Sequence, residues 1–77
     1  MDIQSFVNNF ATQFEETDAS VFSPETNFRD LDEWSSLFAL SIIAMIDEEY
    51  NITIKGDDIR NSVTIEDLYK LVQSKHV

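Results

Sequence analysis

Ser36-Leu37-Phe38-Ala39-Leu40-Ser41-Ile42-Ile43-Ala44-Met45-Ile46-Asp47-Glu48-Glu49-Tyr50 is the stretch on which the fold turns. It contains neither glycine nor proline, and its apolar residues recur at helical spacing, which predicts a helix opening at Ser35 or Ser36 and ending near Tyr50-Asn51. On a helical wheel Ala39, Ile42, Ile43, Ile46 and Tyr50 gather on one side. The opposite side holds Leu37, Leu40, Ser41, Ala44 and Glu48, with Asp47 at its edge. An ordinary surface helix has one apolar stripe; this one has two. Either it is central and buried all round, or its second apolar face is kept for a partner. A chain of 77 residues has few elements with which to cover both faces.

Upstream, Ile3, Phe6, Val7, Phe10 and Phe14 recur at three- and four-residue steps behind Asp2, a candidate N-cap, and predict a first helix over 3–16. From Thr17 to Ser35 the periodicity disappears. This long loop holds the only proline, and Ser23 before Pro24-Glu25 is placed to cap a single helical turn. Phe22, Phe28, Leu31 and Trp34 are spaced through it and are expected to pin it onto the helices. Downstream, Asn51-Ile52-Thr53-Ile54 reads as an extended piece and Gly56 as a turn, followed by one short helical turn at Asp57-Asp58-Ile59-Arg60. Thr64 with Asp67 three residues on is a near-capping box for a last helix carrying Ile65, Leu68, Leu71 and Val72. The expectation is a single all-α domain over 1–77: a small four-helix bundle with a long first loop and a short third helix.

Composition bounds the function. Fifteen acidic against five basic residues give a net charge of −10, which disfavours nucleic acid and anionic lipid and favours partners with basic patches. There is no cysteine, hence no disulfide, thiol nucleophile or thiolate metal site. Met1-Asp2-Ile3 does not open like a signal peptide, and the apolar run from Leu37 to Ile46 is about half a membrane span. A cytoplasmic monomer with no membrane insertion is expected.

Catalytic constellations are poor. The one histidine, His76, sits in a tail expected to fray, so neither Ser35 nor Ser36 has a visible base. Asp57-Asp58 and Asp47-Glu48-Glu49 read as a solvated face rather than a carboxylate site. Asp30 and Asp32 begin like a calcium loop, but Trp34 stands where an oxygen ligand is needed and Ser35 where glycine is needed. Asn51-Ile52-Thr53 is formally a glycosylation sequon, irrelevant without secretion. What remains is Glu33-Trp34-Ser35-Ser36-Leu37 at the start of the central helix. Unpaired amides and the positive end of the helix dipole favour an anion there, so a phosphodiester on Ser36 would sit in a stabilising field. One or both serines can equally serve as caps.

Three runs in register carry a resemblance. They are Phe28-Arg29-Asp30-Leu31-Asp32-Glu33-Trp34-Ser35-Ser36-Leu37, Ile46-Asp47-Glu48-Glu49-Tyr50-Asn51-Ile52-Thr53-Ile54, and Ser62-Val63-Thr64-Ile65-Glu66-Asp67-Leu68. Together they resemble the acyl carrier protein family over nearly the whole chain. The resemblance implies that Ser36 carries 4′-phosphopantetheine, attached by a separate phosphopantetheinyl transferase from coenzyme A, and that the domain itself catalyses nothing. It implies a partner-facing side made of Leu37, Leu40, Ser41, Ala44, Asp47 and Glu48. Acyl-loading, acyl-transferring or condensing enzymes of fatty-acid, polyketide, surface-glycan or lipid pathways would dock on it. Ile42, Ile43, Ile46, Leu68 and Val72 are the lining expected to part for a lipid-like cargo. The family's usual aspartate before the modified serine is Ser35 here, expected to cap the helix without that negative charge. Trp34 and the lack of a glycine pair point to a discrete carrier rather than a peptidyl carrier of a large synthetase. The alternative to a loaded carrier is an unmodified carrier-like adaptor for protein–protein interaction.

Overall fold

In the computed structural model, which describes residues 2–75, four helices follow one another: α1 (Ile3–Ala11), α2 (Ser36–Tyr50), α3 (Gly56–Arg60) and α4 (Ile65–Lys75). No strand forms among the described residues, so the all-α expectation holds, including the long first connection and the minor third helix. Helix α1 packs on α2 and α4, and α3 bridges α2 and α4.

Local chemistry explains most boundaries. Asp2 caps α1 by accepting from the Ser5 backbone N–H at 3.2 Å and the Ser5 hydroxyl at 3.0 Å. Those two bonds hold the Asp2 carboxyl below its ordinary value, the side-chain bond most. The helix ends five residues before the expected 16, at Ala11. Beyond it the ladder tightens: Gln13 N–H donates to Phe10 C=O and Phe14 N–H to Ala11 C=O, three-residue steps that still swing Phe14 into the core. Helix α2 ends where Asn51 takes the left-handed conformation, φ 56° and ψ 40°, one that asparagine tolerates better than most residues. Gly56 does not form a separate turn: it is the first residue of α3, where Lys55 N–H donates to the Asp58 carboxylate at 2.9 Å.

Helix α4 starts on the expected box in full. Asp67 N–H donates to Thr64 Oγ1 at 3.1 Å, and the Asp67 carboxylate accepts from the N–H of Thr64 and of Val63, each at 3.1 Å. The Thr64 amide, then that of Val63, holds the Asp67 carboxyl below its ordinary value.

The core mixes aromatic and aliphatic side chains in one cluster. Phe6, Phe10 and Phe28 are fully buried, as are Ile42, Ile46, Ile65, Leu68 and Val72. The loop pins behave as expected for Phe22 and Phe28, which are buried, and for Leu31 and Trp34, which pack half-buried on the core. Trp34 lies 4.8 Å from Phe28, ring centre to ring centre, and Phe14 stacks on Phe38 at 4.7 Å. Ser23 does not cap a helical turn. Residues 23–26 close a β-turn, Thr26 N–H to Ser23 C=O at 3.1 Å, because the Thr26 hydroxyl accepts from the Ser23 amide and competes for the backbone. The loop's helical content lies instead in two 3-10 turns, Ala19–Val21 and Phe28–Asp30.

The loop is also stitched by polar bonds. Pro24 C=O and Thr26 C=O accept from the first-turn amides of Glu66 and Ile65, satisfying donors that α4 cannot satisfy internally. The Arg29 guanidinium donates to Ile59 C=O at 3.2 Å and Ser62 C=O at 2.8 Å, closing the C-terminal end of α3. These latches hold the segment before Ser36 in place.

Candidate functional site

Site geometry begins at the start of α2. Ser35 stands at the N-cap of α2 in extended conformation, φ −156° and ψ 173°, but its side chain makes no capping hydrogen bond. That corrects the expectation that Ser35 caps. Its hydroxyl is exposed, and water serves it as well as the backbone would. The helix ladder begins with Ala39 N–H to Ser35 C=O at 3.0 Å, which leaves the amides of Ser36, Leu37 and Phe38 in the first turn ahead of it. No acidic side chain occupies that first turn. The positive end of the α2 dipole is therefore uncompensated where the Ser36 hydroxyl meets solvent.

Beside it lies a cleft of about 580 Å³ between the start of α2 and α3. Trp34, Ala39, Leu40, Ile43 and Ile59 make its apolar wall; Ser35 and Ser36 lie on its rim, with Arg29 and Arg60. Of the five residues expected to part for a cargo, only Ile43 lines this cleft. Ile42, Ile46, Leu68 and Val72 are fully buried in the core. The cleft draws instead on α3, an element whose share the wheel of α2 alone cannot reveal.

The second face of α2 is bare. Leu37 and Leu40 are 71% and 63% exposed, Ala44, Asp47 and Glu48 are exposed, and Ser41 is half-buried. The buried face centres on Ile42, Met45 and Ile46, flanked by Phe38, Ala39, Ile43 and Tyr50. Met45 and Phe38 are core residues that the wheel did not assign, although both sit in helical register with Ile42. Their period was legible. Asp57 and Asp58 flank the start of α3; Asp57 pairs with Arg60 and Asp58 caps. Among the described residues no group of three or more His, Cys, Asp or Glu side chains is placed to hold a metal. His76 lies outside the described residues.

Compared with protein families, residues 5–72 match the phosphopantetheine attachment site family, PP-binding. The match takes in the long loop, α2 and α3 whole and most of α1 and α4. The chain belongs to the phosphopantetheine-attachment family. A comparison with curated proteins found no match.

Members of this family are the attachment site of a covalent 4′-phosphopantetheine group, and such carrier domains are not themselves catalytic. The start of α2 fits such a group on its own chemistry. It offers an exposed hydroxyl, an uncompensated helix end for the phosphodiester, and an apolar cleft along which an arm can lie. Family membership also implies encounters with a phosphopantetheinyl transferase and with enzymes that handle acyl groups. No helix among the described residues is long and apolar enough to cross a membrane.

Proposed function

We propose that this chain is an acyl carrier protein whose arm is attached to Ser36, and that it presents an acyl or related intermediate to successive enzymes. When bound, 4′-phosphopantetheine supplies a terminal thiol that holds the cargo as a thioester. The observation that carries the reading is the exposed Ser36 hydroxyl at the uncompensated start of α2, within a family match spanning residues 5–72. Ser36 is an acceptor: among the described residues no basic side chain is hydrogen-bonded to its hydroxyl, so the transferase supplies the base. Its oxygen bonds to the phosphorus nearer the pantetheine in coenzyme A, the pyrophosphate bond breaks, and adenosine bisphosphate leaves.

Partner docking falls to Leu37, Leu40, Ser41, Ala44, Asp47 and Glu48. Two exposed leucines with carboxylates beside them support this reading, since such a patch suits brief, salt-sensitive docking on basic, apolar surfaces. Brief docking is what a shuttle requires.

Incubation with coenzyme A and a broad-specificity transferase should raise the intact mass by about 340 Da, one arm. The Ser36→Ala variant should show no gain. A gain that persists in Ser36→Ala moves the attachment elsewhere. No gain on the wild-type chain overturns the carrier reading and leaves the unmodified adaptor.

A further inference from the structure

Fifteen acidic residues dominate this molecule, yet none lines the cleft beside Ser36, while both arginines of the chain do. Arg29 comes from the 3-10 turn Phe28–Asp30 and Arg60 from the end of α3. The tertiary fold, not local sequence, brings the two cations to one hollow.

Each arginine has a structural role that leaves donors over. Arg29 spends one terminal nitrogen on the carbonyls of Ile59 and Ser62, and a guanidinium carries five N–H donors. Arg60 pairs with Asp57 one turn back, with both side chains about three-quarters exposed, so water weakens that pair and a better anion can displace it. Ser36, the first residue of α2, lines the same cleft. The result is a small cationic pocket in a molecule of net charge −10.

Resting on Ser36 as the arm's attachment residue, we propose that Arg29 and Arg60 form an oxyanion clasp for the group carried on Ser36. The clasp holds the arm along the α2–α3 cleft when no partner is docked. Two oxyanions share this chemistry: the phosphodiester at the root of the arm and a carboxylate at the end of a folded-back cargo.

The test compares the melting temperature of the apo chain with chains loaded from coenzyme A, butyryl-coenzyme A or malonyl-coenzyme A, each verified by intact mass. Four proteins are used: wild type, Arg60→Gln, Asp57→Asn, and Lys70→Gln, a charge control on α4 that does not line the cleft. At low salt the loaded wild type should melt about 2–4 °C above its apo form, the size of an exposed charge-assisted contact in a domain this small. The gain should be lost in Arg60→Gln, retained in Lys70→Gln and enlarged in Asp57→Asn, where the competing carboxylate is gone. The phosphorus resonance of the arm should move between wild type and Arg60→Gln.

A gain already present with coenzyme A alone identifies the phosphodiester. A gain seen only with the malonyl form identifies the cargo carboxylate. A gain equal in wild type and Arg60→Gln, or absent in every loaded form, overturns the clasp while leaving the carrier reading intact. No mass gain on the wild type overturns both.

Discussion

Ile42 and Ile46 on α2 are removed from water completely, whereas Leu37 and Leu40 on the same helix keep 71% and 63% of their surface exposed. The residues are chemically alike, and the wheel alone does not separate their fates. The cover decides. Phe14, just past α1, with Phe28 and Trp34 from the long loop, joins the core against α2, and Ile59 on α3 and Leu68 and Val72 on α4 complete it. Nothing in the described residues is left to close the other side. Each leucine kept in water forgoes about 1.5–3 kcal/mol of burial, which a docking partner can recover.

The sharpest way to break this contrast is to truncate the packed face. Ile46→Ala removes a fully buried side chain from the core cluster, and should lower the unfolding free energy by about 2–5 kcal/mol in urea denaturation. In a domain of this size that leaves little or no folded population at elevated temperature. A loss under about 1 kcal/mol would mean that α2 is not the core helix its burial indicates.

How much of this was legible in the sequence depends on whether the determining partner lies nearby in the chain. The Thr64–Asp67 box is complete within four residues, and it forms in full. The α2 boundaries and the loop pins were likewise local matters. Ser35 takes the N-cap position, but its hydroxyl makes no capping bond, and nothing in the sequence reports that side-chain orientation. Helix α1 was drawn too long because three-residue steps keep Phe14 on the apolar side just as helical ones would. The cleft was not legible for a different reason: its walls come from α2, α3 and the long loop, and no periodicity within α2 reports what faces it. The two arginines offered one signal, being the only ones in a strongly acidic chain, but their meeting is a tertiary event.

A smaller effect sharpens the packed side without touching α2. Asp67 secures the start of α4, which supplies Leu68 and Val72 to the core. Its carboxyl is held below the ordinary aspartate value of 3.8, first by the Thr64 amide and then by that of Val63. A depressed carboxyl contributes its stability in full above its unfolded value and loses it as pH falls through its lower folded value. Wild type should therefore melt above Asp67→Asn by a constant margin from neutral pH down to about 4, and the margin should shrink below that. Relief of repulsion among the other acids acts on both proteins, so the difference isolates the cap. A margin that does not change with pH would show that the charge on Asp67 contributes nothing to the cap.

The smallest effect on stability should come from the bare face, and there the contrast is tested in reverse. Leu37→Ala trims an exposed side chain near the start of α2 and substitutes a better helix former, so stability should change by no more than about 0.5 kcal/mol. If this face meets the transferase, the same change should lower kcat/KM for arm addition about fivefold or more, the loss of roughly 1 kcal/mol of contact. Added salt should slow the wild-type reaction as well, because Asp47 and Glu48 lie exposed on the same helix and would steer basic partners. An unchanged rate in Leu37→Ala would place docking elsewhere on the molecule and leave the exposed leucines without a partner. A changed rate with unchanged stability would show that α2 divides its labour by face: burial on one side holds the fold, and the contact withheld on the other is kept for the enzymes that come and go.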